Sequence, residues 1–343
     1  MRSRQQRIDD VKRLVAAARV VMERRGELVP TLVESTGLST QGVELAFART
    51  LEVDATDGEI DELVASAGDA PRAAVILSAN VFVAALRAIA IAYAASPSVV
   101  VRPSRREPAF ARALVLAAKD DAIILDESFD AGSWHDGEVH VYGRDETIAE
   151  VRSKVHGRVV VRGHGAGMGV AWITRGASLE AAASALASDV VLFDQRGCLS
   201  PRVAIVEGDA DAFASLLHAE LERLEATVPR GVVPTEDRAA GDRYVATMTY
   251  ACRALVGRAH AVGVAPAGAP IVLPPPYRHV HVAACESAEQ AAKLLEPLAK
   301  SIVAVGSDDE ASARAVAPAW SRVSALGRMQ RPPFDGPVDR RPF

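Results

Sequence analysis

Cys198 stands in the stretch VVLFDQRGCLSPR, Val190 to Arg202, where an apolar run ends in a polar turn and a proline follows three residues later. A thiol presented at such a junction can attack a carbonyl carbon, while backbone amides exposed by Gly197 hold the oxyanion that forms. An ordinary thiol is only partly ionised near neutral pH, so this chemistry requires Arg196 or a helix N-terminus to lower its pKa. The same residue type also serves as an inert buried cysteine. Asn80 lies in LSANVFVAALRAIA, after a strand-like run and before an apolar helix, where its amide can cap the helix or donate to a neighbouring site. In VVVRPSRREPAFARAL a strand leads into Arg102, Pro103, Ser104, Arg105 and Arg106. Arginine beside serine at the carboxyl end of a parallel strand suits ribose hydroxyls or phosphates; the alternative is a solvated charged loop.

Two further motifs carry less. The series RGHGAGMG, with Gly163, Gly165, Gly167 and Gly169, lacks the GxGxxG spacing and runs into the strand-like VAWI rather than a helix, so it is not the usual pyrophosphate cradle. Its glycines instead suit a close backbone approach or an unusual turn. In YRHVHVA, His279 and His281 share one face of a strand, but two histidines without a third ligand do not make a metal site, and no metal is expected.

The elements that would hold these residues begin with helix. Ile8, Val11, Leu14, Val15, Ala18 and Met22 recur at helical spacing, and two more helices follow, bounded by Gly37 and by Ser39 or Thr40. From Ala73 onward short apolar strands alternate with helices: AAVILS, VAALRAIAIAYAA, SVVVRP, PAFARALVLAAK, AIILDE, EVHVYG, ETIAEVRS, RVVVRG and VAWI. That alternation predicts a parallel sheet covered on both faces. A helix over SLEAAASALAS, a strand delivering Cys198, the strand RVAIVEG and the long helix ADAFASLLHAELERLEATV start a second α/β unit. Two strands are expected around the triple proline of APIVLPPPYRHVHVAACES, then the helix AEQAAKLLEPLAK and the strand SIVAVG. The reading divides the chain into residues 1–189, N-terminal helices with a dinucleotide-binding domain; 190–310, a cysteine-bearing domain; and 311–343, a proline- and arginine-rich tail packing back on the body.

Composition sets the boundaries. A length of 343 residues suggests roughly two domains, and a net charge of −5 gives no basic field for a nucleic acid or an anionic membrane. Three widely spaced cysteines with no CxxC pair, and a charged start lacking an apolar signal core, lead us to expect a reducing compartment, the cytoplasm. The largely apolar stretch Ala73 to Val101 is divided by Asn80, Arg87 and Pro97, so it reads as strand, helix, strand rather than a membrane span.

Taken in order, ILSANVFVAALRAIAIAYAASPSVVVRPSRREP, VYGRDETIAEV, RVVVRGHGAG and FDQRGCLSP resemble the aldehyde dehydrogenase superfamily, and within it the acyl-CoA reductases similar to the fatty acid reductase of bacterial luminescence systems. The helical RVVMERRGELVPTLVESTGLS resembles the superfamily's N-terminal region, and the likeness runs to about Glu207. It implies an α/β fold in which a Rossmann-type dinucleotide-binding domain packs against a smaller α/β catalytic domain. It further implies Cys198 as nucleophile and Asn80 as the amide that joins the cysteine N–H in an oxyanion hole. Arg102 and Ser104 fall on the lysine-proline-serine strand end that holds the adenosine ribose, and Gly143 falls on the glycine turn that approaches the pyrophosphate.

Three departures shape the expected activity. Arg102 replaces the lysine, which suits a 2′-phosphate and hence NADP, with NAD still open. Arg162 and His164 stand where the family's water-activating glutamate would lie, and the glutamate-phenylalanine-glycine-proline motif is not visible near VLPPPYRHV. Hydrolysis of an enzyme thioester needs a positioned base, whereas its reduction needs hydride and a dry site. The expectation is NAD(P)H-dependent reduction of an acyl-CoA or other activated acyl substrate to an aldehyde through an acyl-cysteine. The alternatives are acyl-phosphate reduction, aldehyde oxidation, or a non-catalytic binding or scaffolding protein. Chain length of the acyl group, assembly as a homo-oligomer and the group that activates the thiol stay open; His164 is one candidate for the last.

Overall fold

A computed structural model describes residues 2–342. The N-terminal helices form where the apolar spacing places them. α1 (Arg4–Glu23) starts with a capping box between Ser3 and Gln6; α2 (Arg25–Thr36) ends at Gly37 with φ 72°; and α3 (Thr40–Thr50) is capped by Ser39. A fourth, α4 (Asp57–Ser66), carries its own Thr56–Glu59 capping box and was not anticipated.

The first sheet takes β1 (Ala73–Ile76), β2 (Val99–Arg102), β3 (Ile123–Leu125), β4 (Gly137–Tyr142) and β5 (Val159–His164), ordered β3-β2-β1-β4-β5. All its pairings are parallel, with α5 (Ala84–Ala95), α6 (Ala109–Ala118) and α7 (Asp145–Lys154) as connections. The order reverses at β1, so β2 and β4 flank it and their carboxyl ends frame a crevice where ligands of open α/β sheets bind.

The second sheet has seven strands in the order β12-β11-β6-β7-β10-β9-β8. They are β6 (Met168–Ile173), β7 (Pro201–Glu207), β8 (Arg253–Val256), β9 (Ala261–Ala265), β10 (His279–Cys285), β11 (Ile302–Ser307) and β12 (Arg322–Ala325), with only the β8–β9 pair antiparallel. α8 (Leu179–Val191), α9 (Ala210–Glu225), α10 (Thr235–Ala251), α11 (Ala288–Leu295) and α12 (Glu310–Val316) complete it.

Sheet membership corrects the divisions read from sequence. β5 and β6 are three residues apart yet lie in different sheets, so the changeover falls between His164 and Met168 rather than at 189/190. β12 belongs to the second sheet, so the tail begins after Ala325 rather than at 311. The expected strand before Cys198 is absent: α8 runs to Val191 and a 3-10 turn covers Leu192–Gln195. Val190, Val191, Leu192 and Phe193 are all buried, and a helix end buried on every side has the same apolar signature as a buried strand. The segment before the triple proline is likewise coil, since prolines supply no N–H to a ladder.

Arg87, which argued against a membrane span, is buried in α5. Its guanidinium pairs with Glu52 and donates to the carbonyls of Pro332 (2.8 Å), Pro333 (2.8 Å) and Gly336 (2.7 Å) in the tail. The arginine therefore ties the tail to the first layer, which also holds Phe334 under its guanidinium. No helix among the described residues is long and apolar enough to cross a membrane.

Candidate active site

The turn that carries Cys198 is held by backbone in an unusual conformation. Phe193, Asp194 and Gln195 have φ of 53°, 50° and 62°, and across from them Tyr277 and Arg278 have φ of 71° and 69°. Each such residue without a glycine costs about 1–3 kcal/mol, so the surroundings must over-determine it. They do so through side chains that are almost wholly buried. Arg278 donates to Asp194 Oδ1 from Nε (2.9 Å) and Nη2 (2.7 Å), and from Nη1 to Glu225 (2.8 Å) and the Val228 carbonyl (2.8 Å). Gln195 donates to the carbonyls of Pro201 and His279, each at 2.7 Å, and accepts from the His279 N–H at 2.9 Å.

This turn meets the Asn80 loop. Phe193 inserts into the core of the first layer against Phe82, ring centroids 6.0 Å apart, and Phe82 packs in turn on Phe47 (5.1 Å) and Phe110 (5.7 Å). Next to Asn80 and to Cys198 along the chain, Val81 crowds Gly197: a Cβ there would lie 3.1 Å from Val81 Cγ2. The loop after β1 that carries Asn80 and the turn before β7 that carries Cys198 therefore touch at two points. Asn80 does not cap α5, which starts at Ala84 after Val83 with no side-chain cap. The amide is exposed, and its Oδ1 accepts from Arg106 Nη2 at 2.7 Å.

Cys198 is half-buried against a cluster of Leu199, Val303, Ala304 and Met329. Two glycines of the series allow close approach beside it. A Cβ on Gly167 would lie 2.3 Å from Val303 Cγ2 and 3.4 Å from Cys198 Cβ, and one on Gly169 would lie 2.3 Å from the Leu199 carbonyl oxygen. Burial, then the nearby Asp339 carboxylate, push the thiol up to about 11, with Arg341 pulling the other way.

The expected helper, Arg196, faces elsewhere: its Nε donates to the Phe193 carbonyl (3.0 Å), its Nη1 to the Thr36 carbonyl (2.8 Å), and its guanidinium covers the Tyr277 ring. Arg341 instead bonds Asp339 through Nε (2.9 Å) and Nη2 (2.6 Å) and reaches the carbonyls of Ala166 and Lys300, each at 2.9 Å. Sequence spacing offered no signal for these tail residues. His164 stacks on Tyr142 at 4.2 Å, and its pKa falls to about 3 through burial and the neighbouring His140 and Arg162.

With a thiol near 11, the Cys198 thiolate fraction should climb about tenfold per pH unit until the pH approaches that value. We therefore expect iodoacetamide to modify Cys198 with a rate that increases steadily from about pH 7 to 10, read by mass spectrometry. A plateau already reached near neutrality would contradict this environment.

The residues expected to hold a dinucleotide, Arg102, Ser104 and Gly143, sit at the crevice framed by β1, β2 and β4. Arg102 ends β2 and donates to the Phe129 carbonyl at 3.3 Å, and Ser104 Oγ accepts from the Arg106 N–H at 3.3 Å. These side chains, with exposed Arg105 beside them, suit the ribose and phosphate of a dinucleotide. Gly143 lies at the end of β4, its N–H bonded to the His164 carbonyl (3.2 Å), but a Cβ there would meet Thr147 only at ordinary distance, so the position does not require glycine. The first turn of α7 carries Asp145 and Glu146, acids that oppose a phosphate at that helix start. The β2 end thus fits the adenosine half of the cofactor, while the α7 start does not supply the usual pyrophosphate contact. A cavity of about 560 Å³ opens beyond α7, between Asp145, Ile148, Arg152 and Gly163 on one wall and Lys300 and Arg341 on the other. Among the described residues no group of three or more His, Cys, Asp or Glu side chains is placed to hold a metal ion.

Two layers of this order, joined across a cysteine turn, define the aldehyde dehydrogenase fold. The chain is similar to a NAD-dependent benzaldehyde dehydrogenase from Corynebacterium glutamicum (TM-score 0.69, 15% identity, covering 94% of this chain and 82% of that one). It is also similar to lactaldehyde dehydrogenase from Escherichia coli (TM-score 0.66, 15% identity, 95% and 78% covered). A third similar structure is an NADP-dependent glyceraldehyde-3-phosphate dehydrogenase from Bacillus halodurans with NADP bound (TM-score 0.68, 14% identity, 96% and 80% covered). No curated protein sequence matches the chain.

The model of the acyl-CoA reductase (LuxC) family matches residues 66–339, and the chain belongs to that family. Family and fold together support NAD(P)-linked oxidoreductase chemistry at the aldehyde level.

Proposed function

We propose that this protein reduces an acyl-CoA thioester to an aldehyde through an acyl group carried on Cys198. The observation that carries the reading is the meeting of the Asn80 loop and the Cys198 turn through Phe82–Phe193 and Val81–Gly197. Cys198 Sγ attacks the thioester carbonyl, and the Asn80 amide with the Cys198 N–H receives the oxyanion. The bond from the acyl carbon to the CoA sulfur then breaks, and CoA leaves as a thiol with the proton given up by Cys198. Arg341 takes up the charge of Asp339, so the thiol deprotonates more readily than it would beside an unpaired carboxylate.

Arg102 and Ser104 would hold the adenosine ribose, with Arg102 favouring a 2′-phosphate and thus NADP. When bound, the reduced dinucleotide supplies hydride to the acyl carbon. Cys198 is released as the remaining C–S bond breaks and the aldehyde departs. Reduction is favoured over hydrolysis because no glutamate stands at the end of β5, and His164, with a pKa of about 3, is too weak a base to activate water.

The test is to follow NADPH and NADH oxidation with acyl-CoAs of increasing chain length, measuring aldehyde directly. Aldehyde formed in step with cofactor oxidation is the expected result. Turnover of an acyl phosphate alone, or acid formation from an aldehyde without CoA, would replace the reading with one of its neighbours.

A further inference from the structure

Arg106 is exposed, yet its guanidinium is committed: Nη2 donates to Asn80 Oδ1 at 2.7 Å. Its backbone N–H donates to Ser104 Oγ at 3.3 Å within the loop after β2, and the Asn80 bond is what joins that loop to the loop after β1. A guanidinium has donors and no acceptor, so it fixes which way an asparagine amide points. The carbonyl oxygen must face Arg106, and the NH₂ group must lie on the other branch, ready to donate. The bond also draws electron density toward the carbonyl oxygen and sharpens the N–H as a donor. Asn80 does no capping work at α5, so the Arg106 bond is what sets its orientation.

Resting on the acyl-transfer reading above, we propose that Arg106 is a positioning residue that locks the Asn80 amide with its NH₂ toward the oxyanion formed at Cys198. Arg106 does not touch the reacting atoms; it acts through Asn80. Its neighbours Arg196 and Tyr277 lie within its electrostatic reach and leave the Asn80 bond as the guanidinium's polar contact on the β1 side.

The test is a double-mutant cycle on the full chain with Asn80→Ala, Arg106→Met, the combined variant and Arg106→Lys. Two readouts are used: steady-state acyl-CoA reduction, and the burst of nitrophenolate as p-nitrophenyl acetate acylates Cys198, with the adduct located by mass spectrometry. Asn80→Ala should slow acylation by about a hundredfold or more, as for the loss of one oxyanion donor. Arg106→Met should slow it by about tenfold with KM little changed, and Arg106→Lys should recover most of that loss. In the Asn80→Ala background, Arg106→Met should cost no more than about twofold. Equal losses in both backgrounds, or an effect on KM alone, would overturn the proposal. If the ester acylates Cys198 with the expected coupling while no acyl-CoA is reduced, the acyl-CoA reading fails and the positioning role stands. If the wild-type protein is not acylated at Cys198, both fall.

Discussion

Replacing Cys198 with alanine should abolish aldehyde formation, lowering kcat by roughly 10⁴-fold or more while the protein remains folded. Loss of a nucleophile removes the covalent route entirely, and single removals in enzymes that work through one cost of this order or more. The side chain is half-buried in a small apolar cluster with Leu199, Val303, Ala304 and Met329. Trading a thiol for a methyl group there should cost little stability. A thermal melt close to wild type together with absent turnover is the expected pair of results. Retained turnover would mean that the acyl group does not pass through this sulfur. Cys285 offers no substitute, because it is buried at the end of β10 rather than carried on the turn.

The second large effect is expected at Arg278, far in sequence from Cys198. Arg278→Met leaves Asp194 buried with only the Gly231 N–H at 3.0 Å, and leaves Glu225 without its buried partner. Breaking a buried pair from one side costs about 3–5 kcal/mol, because a charge is stranded. The left-handed residues 193–195 are held by this same pair, so the turn that presents Cys198 should loosen too. We expect a lower urea midpoint by circular dichroism and a fall in kcat under conditions where the variant is still folded. Adding Asp194→Asn to Arg278→Met should recover part of the stability, since no charge is then stranded there. A single variant within about 1 kcal/mol of wild type would show that the pair does not hold the turn.

Much of this arrangement is legible in the sequence where local rules decide it. The alternation from Ala73 to His164 yields the five-stranded sheet because its strands are short and apolar and helices follow β1, β2 and β4. Ser39 and Gly37 mark helix ends because their side chain and backbone satisfy orphan groups locally. The glycines of RGHGAGMG serve close packing, Gly163 and Gly165 against α7 and Gly167 and Gly169 beside Cys198 and Leu199.

What escaped depends on contacts between distant segments. The end of α8 looked like a strand because it is buried by both layers at once. Asn80 looked like a cap because it precedes a helix, but the chain spends three more residues turning before α5 begins, and Arg106 claims the amide oxygen instead. Arg196 sits two residues from the cysteine and still faces Tyr277, whereas Asp339 and Arg341 reach the thiol only because the tail folds back over the second sheet. Charge near a reactive group is set by such folding and cannot be inferred from proximity along the chain.

The central claim is that Cys198 accepts an acyl group from CoA, and it can be tested without any reduction. The protein would be mixed with an acyl-CoA in the absence of reduced dinucleotide, then quenched in acid for intact mass and peptide mapping, with free CoA thiol measured in parallel. The account predicts one acyl group per chain, carried on the peptide containing Cys198, and CoA released in matching amount. An adduct on Cys252 or Cys285, or turnover of acyl-CoA with Cys198 never acylated, would contradict it.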